Sequence, residues 1–171
     1  MSEQFDNIEY LKIGTKRQIA AYNLLTKYKV IAKLEQFSPI LVGTIPINID
    51  IESSDLDIIC HYRCSEGFIK SIKRSFSEHN GFTIMKDNIH NYVVANFFND
   101  GFEIELYGSN IPTKEQRAYR HMIVENNILL KYGEDFRTRV IELKLQGVKT
   151  EPAFAQLLGL KGDPYIELLN M

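Results

Sequence analysis

Apolar and polar positions change period several times along the chain, and each change marks an element. Thr15-Lys16-Arg17-Gln18 reads as a capping box, and Ile19, Tyr22 and Leu25, with Ala21 alongside, predict one apolar face of a helix to about Tyr28. Val30 to Phe37 reads as a second helical piece, stopped by Ser38-Pro39. Ile40 to Thr44 is a continuous apolar run, expected to be a buried strand. Pro46 to Ser54 is turn-like, and Asp55 to Tyr62 reads as the next strand. Ser65 to His79 predicts a basic amphipathic helix with Phe68, Ile69, Ile72 and Phe76 inward and Lys70, Lys73 and Arg74 in solvent, ended by Asn80-Gly81. Phe82 to Met85 predicts a short strand. Asn91 to Phe98 and Phe102 to Tyr107 flank Asn99-Asp100-Gly101, a hairpin turn.

From Thr113 onward the pattern is helical. Thr113 with Gln116 repeats the capping-box spacing, and a long helix is expected to Tyr132, before Gly133. Glu134 to Gln146 reads as another helix, ended by Gly147. Thr150-Glu151-Pro152 starts a short one ended by Gly159, and Asp163-Pro164 starts the last. The expected class is α+β: a mostly antiparallel or mixed sheet flanked by helices, with a helical C-terminal third. The 171 residues suit one domain, a sheet-containing core of about 1–111 with packed C-terminal helices of about 112–171; the only composition shift lies near Ile111-Pro112. A hydrophobic fraction of 44% is enough for a core and excludes a disordered chain.

Charge and cysteine usage narrow the function classes. The formal net charge is -2, so there is no basic surplus for long nucleic acid, although a nucleotide or a local basic groove stays open. The two cysteines, Cys60 and Cys64, give no disulfide framework, and no second Cys/His pair has zinc-site spacing. MSEQFDNIEY has no basic segment followed by an apolar run, and no stretch is long and apolar enough to span a bilayer. The expected location is the cytoplasm, away from membranes, where thiols stay reduced.

The stretch Leu41 to Cys60, LVGTIPINIDIESSDLDIIC, carries the chemistry. Asp55 and Asp57 lie two residues apart at the start of an apolar strand, so they share a face while Leu56 and Ile58 point to the other. Two like charges side by side cost free energy unless a cation sits between them, and a divalent metal is the usual solution. Phe102-Glu103-Ile104-Glu105-Leu106-Tyr107 alternates strictly, with Glu103 and Glu105 facing away from the core. Beside the Asp55-Leu56-Asp57 strand, one of them would be a third acid. Three carboxylates next to Gly43-Thr44 fit a magnesium site for phosphate chemistry, because Mg²⁺ fills its remaining positions with water and substrate phosphate.

This order of Gly-Thr, loop, Asp-Leu-Asp and a later strand acid resembles the nucleotidyltransferase superfamily, whose DNA polymerase beta-like members carry Gly-Ser and Asp-x-Asp. The stretches Leu41 to Cys60, Glu105 to Gly108, Ala118 to Met122 (AYRHM) and Lys149 to Tyr165 (KTEPAFAQLLGLKGDPY) resemble a family of small, functionally uncharacterised bacterial proteins within it, over about Leu41 to Leu169. The resemblance implies that Gly43 and Thr44 are the phosphate-loop pair, Asp55 and Asp57 the metal-binding acids, and Glu105 the third acid, with Glu103 its rival. Thr keeps the hydroxyl of the usual Ser; Glu in place of the frequent Asp moves the carboxylate by one methylene. Arg117, Arg120 and His121 open the long helix. Arg117 and His121 share a face, as a cationic clamp on phosphate or as a solvated helix pairing with Glu115 or Glu125, and His121 reads equally as a satisfied core histidine. Lys144, Lys149, Glu151 and Asp163 read as helix-end structure, and Asp50 and Glu52 as solvated loop acids.

The leading expectation is a transferase that uses Mg²⁺ (or Mn²⁺) to move a nucleotidyl group from a nucleoside triphosphate to an unknown acceptor: a small molecule, a protein side chain or an RNA end. Two alternatives keep the same fold: a metal-dependent nucleotide or dinucleoside-polyphosphate hydrolase, and a non-catalytic nucleotide-binding or interaction protein.

Overall fold

Alternation along the strands decides which side of the sheet meets which helices. A computed structural model describes residues 2–171. Its strands are β1 (Ile40–Val42), β2 (Leu56–His61), β3 (Asn80–Asp87), β4 (Tyr92–Asn99) and β5 (Phe102–Ser109), in spatial order β1-β2-β5-β4-β3. The sheet is mixed, because β2 pairs with β5 in parallel while the other neighbours are antiparallel.

Leu41, Leu56, Ile58, Cys60, Ile104 and Leu106 point to one face. They pack there with residues of α1 (Lys16–Lys27), α2 (Val30–Leu34) and α3 (Ser65–Phe76). Ile40, Val42 and Ile59 point to the other face and join Tyr119, Met122, Leu129 and Val140 of α4 (Arg117–Leu145) and Phe154 of α5 (Thr150–Leu158). A short α6 (Pro164–Glu167) follows, started by Asp163, whose Oδ1 accepts from Tyr165 N–H at 2.9 Å. The C-terminal helices thus cover the β1–β2 side of the second face. Glu103, Glu105 and Tyr107 share that face, beyond the fully packed part.

Several expectations shift. The capping box at Thr15 forms, but the buried face of α1 is Gln18, Ala21, Leu24 and Leu25, and Ile19 is 37% exposed. Gln18 turns inward because its Nε2 donates to the carbonyls of Ile45 (2.8 Å) and Pro46 (3.3 Å), which rotates the helix away from Ile19. α3 stops at Phe76, and Asn80-Gly81 opens β3 instead of closing the helix, since Asn80 is captured by Phe98 of β4. The capping box expected at Thr113 does not form. Thr113–Glu115 is a 3₁₀ turn, and Gln116 is buried, its Nε2 donating to the carbonyls of Cys60 (2.9 Å) and Ile111 (2.8 Å). Asp50, expected in solvent, is half-buried and pairs with Arg17 (Nε–Oδ2 3.4 Å).

The helical segments before and after Gly133 run on as α4, broken at Gly133, where φ is 78° and ψ is -166°. Only glycine adopts that conformation readily, and a Cβ there would meet no heavy atom within 4 Å. Gly133→Ala therefore isolates backbone strain from collision. It is expected to lower stability by about 1–3 kcal/mol, seen as a lower urea midpoint with an unchanged slope.

Candidate active site

The β2–β5 register brings the acids together. Asp57 lies opposite Glu105 in the parallel pair, so their side chains leave the same face on adjacent strands. Glu105 is half-buried, whereas Glu103, two residues earlier, is exposed and off the cleft. Of the two rivals it is Glu105 that neighbours Asp57. Among the described residues no ion pair engages Asp55, Asp57 or Glu105. Burial first, and then the charges of Asp55 and Glu105, push the Asp57 carboxyl up to about 7. Burial, then Asp55 and Glu103, raises Glu105 as well.

Gly43 fits against Asp57. Val42 pairs with Asp57 across β1–β2, and Gly43 then turns the chain at φ 83°. A Cβ at Gly43 would strike Asp57 Oδ2 and lie 3.4 Å from its Cγ, so both the conformation and the space require glycine. The loop that follows is closed by its own bonds. Ile49 N–H donates to Thr44 O at 3.1 Å, Thr44 Oγ1 donates to Ser54 Oγ at 3.2 Å, and Ile51 N–H donates to that same Oγ at 3.0 Å.

Cations and amides from the helices then grip the loop's carbonyls. Arg17 donates to Glu52 O (2.9 Å) and Ser54 O (2.7 Å), Arg137 to Ile47 O and Asn48 O (3.2 Å), and Lys144 to Ile49 O (2.7 Å). Arg17 also lies over the Phe102 ring at 4.5 Å. Asp55 is thus presented by a loop held from both sides of the sheet.

A cleft of about 870 Å³ opens between these residues and the C-terminal helices. Gly43, Thr44, Asp55, Asp57, Glu105, Arg117 and His121 line it; Arg120 is exposed and is not among the lining residues. His121 is buried, and desolvation lowers its pKa, opposed by Glu151 and aided by Arg117 and Arg120. Four residues read as structural or left aside in the sequence also line the cleft: Glu125, Lys144, Lys149 and Glu151. Lys144 is buried, and desolvation lowers its ammonium to about 8 against the pull of Asp50, Glu125, Asp55 and Glu151. Glu125 is 3% exposed, and burial, then Glu151, raises its carboxyl well above the ordinary range. The signal for both was their position: Phe136, Val140 and Lys144 are four apart on one buried stripe, and so are Glu125 and Leu129 on another. A charge on an apolar stripe is the feature to notice.

The five-stranded mixed sheet, its flanking helices and the C-terminal helical region define a nucleotidyltransferase-like fold. Cid1, described by its RNA terminal uridylyl transferase activity, is similar with a TM-score of 0.60 and 11% identity over 84% of this chain and 47% of Cid1. GLD-2, solved in complex with RNP-8, is similar with a TM-score of 0.55 and 12% identity over 91% of this chain and 62% of that one. The chain therefore spans about half of Cid1 and under two thirds of GLD-2. The model of the family described as Domain of unknown function (DUF4269) matches residues 23–171, and the chain belongs to that family. No curated protein matches it in sequence. No helix among the described residues is long and apolar enough to cross a membrane.

The crowding of acids sets a pH dependence. An acid whose pKa is raised in the fold binds more protons folded than unfolded, so its contribution is fully present below the unfolded value and is lost as pH rises through the folded one. For metal-free protein, Asp57 should make stability fall between about pH 4 and pH 7. Water in the cleft screens part of the effect, so Asp57→Asn is expected to regain about 1–2 kcal/mol at pH 8 and almost nothing at pH 4, measured by urea unfolding in EDTA.

Proposed function

We propose that the chain is a divalent-metal-dependent nucleotidyltransferase that moves a nucleotidyl group from a nucleoside triphosphate to an acceptor hydroxyl. The observation that carries this reading is the convergence of Asp55, Asp57 and Glu105, with no ion-pair partner among the described residues, beside a glycine that leaves the approach to Asp57 clear. The donor set is all carboxylate and opens onto a cleft with room for water and phosphate oxygens, which fits Mg²⁺ or Mn²⁺. Asp55 and Asp57 would hold the ion, with Glu105 either completing a second position or serving as base. Bound metal would supply charge neutralisation for the phosphoryl oxygens.

The chain's own groups divide the remaining work. Gly43, without a side chain, admits the triphosphate close to the backbone, and Thr44 adds a hydroxyl. Arg117 at the start of α4 and Lys144 and Lys149 across the cleft offer positive charge to the β- and γ-phosphates. The acceptor oxygen forms a bond to the α-phosphorus, the bond from that phosphorus to the bridging oxygen breaks, and pyrophosphate leaves. The acceptor's proton passes to Glu105, whose affinity for a proton burial and then the charge of Asp55 increase. The activity named for Cid1 is the same class of step. Asp55, Asp57, Glu105 and Glu151 outnumber Arg117, Lys144 and Lys149 along the cleft, which favours a small neutral or cationic acceptor, or a protein side chain, over a long polyanion.

Two measurements test the reading. Mg²⁺ or Mn²⁺ should raise the melting temperature of the wild type, with most of the gain absent in Asp57→Asn; equal gains in both would sink the metal assignment. A panel of labelled nucleoside triphosphates with Mg²⁺ and candidate acceptors should show acceptor-dependent pyrophosphate release, lowered about 10³-fold by Asp57→Asn. Release that needs no acceptor would establish hydrolysis in place of transfer.

A further inference from the structure

The helical wall of the cleft holds a second cluster that the carboxylates of β2 and β5 do not explain. His121 and Glu125 are one turn apart on α4 and share a face. Glu151 comes from the first turn of α5. One ligand atom from each of the three lies within 4.8 Å of the others. All three line the cleft.

Two of these side chains are buried without partners. His121 is 6% exposed and Glu125 3%. Neither ring nitrogen of His121 and not Oε1 of Glu125 has a hydrogen-bond partner among the described residues. Buried polar atoms are otherwise almost always satisfied, so three orphaned atoms in one place ask for an occupant. The neighbouring cation does not answer them: Lys144 sends its Nζ to the carbonyl of Ile49, and no ion pair joins it to Glu125 or Glu151. The Tyr165 ring meets the His121 ring edge to face at 6.2 Å, a contact that satisfies neither ring nitrogen.

We propose that His121, Glu125 and Glu151 form a second cation site, separate from Asp55 and Asp57, that takes a borderline divalent ion such as Zn²⁺ or Mn²⁺. Ligands about 2.0–2.2 Å from a shared ion stand up to about 4 Å apart, so the observed spread of up to 4.8 Å is close to that of a bound set. One imidazole and two carboxylates, with no thiolate, suit Zn²⁺ or Mn²⁺, and the imidazole disfavours Mg²⁺ and Ca²⁺. Three protein ligands facing a cleft leave a position open for water or an anionic group of a substrate. The ion would fasten the start of α5 to α4 and place positive charge on the wall across from Asp55, Asp57 and Glu105. The site stands whether or not the chain transfers nucleotides.

The test uses the full chain carrying Asp55→Asn and Asp57→Asn, which removes two of the three acids of the first set and leaves Glu105 without a carboxylate neighbour from that set. Co²⁺ is the probe, because its visible absorption reports nitrogen and oxygen ligands directly. This double variant is expected to bind one equivalent of Co²⁺ with visible bands, displaced by Zn²⁺. Adding His121→Ala or Glu151→Gln should weaken binding at least about 100-fold and remove the bands. Glu151 is half-buried, so Glu151→Gln decides the matter if His121→Ala fails to fold, with circular dichroism reporting the fold. Absence of Co²⁺ and Zn²⁺ binding in the double variant, or undiminished binding after Glu151→Gln, overturns the proposal.

Discussion

Three carboxylates forced onto one patch of sheet, with no ion-pair partner among the described residues, are the constraint around which the rest is arranged. The parallel pairing of β2 with β5 sets Asp57 beside Glu105, and the loop end sets Asp55 next to both. Nothing in local packing favours such a patch. Each acid raises the cost of ionising the next, and burial adds to it. The arrangement persists because the opposite side of the same strands is fully apolar: Leu56, Ile58, Ile104 and Leu106 are fully buried against α1–α3. A side-chain period of two means that the core-facing residues cannot stay inside unless the acids stay together outside.

The loop between β1 and β2 is held with equal economy. A loop of this length carries many backbone carbonyls that a sheet would otherwise satisfy. Here Arg17 and Gln18 reach them from α1 and Arg137 and Lys144 from α4, on opposite sides of the sheet. The cations therefore contribute to the position of Gly43, Thr44 and Asp55 through the backbone and form no ion pair with Asp55, Asp57 or Glu105. That division leaves the carboxylates available to something from outside the chain.

Legibility followed the range of the interactions. The capping box at Thr15 was readable because every participant lies within four residues. The same spacing at Thr113 misled, because Gln116 found the distant carbonyl of Cys60 and left the helix end uncapped. Ile19 was misplaced for a related reason: Gln18 has a partner 27 residues away that no periodicity reveals. Asp55, Asp57 and Gly43-Thr44 were legible as a motif, and Glu105 as one of two acids. Glu125 and Lys144 were visible only as charges on apolar stripes, and Glu151 only as a helix start.

By itself the sequence determined the strands, the helices, the face each acid occupies and the chemistry of the loop, since those depend on periods and neighbours along the chain. Tertiary structure alone decided that Glu105 and not Glu103 meets Asp57, that Lys144 is buried against Ile49, and that Glu151 joins His121 and Glu125. Strand register and helix crossing bring together residues dozens of positions apart, and the free energy that selects them comes from burying whole faces, which no local pattern encodes.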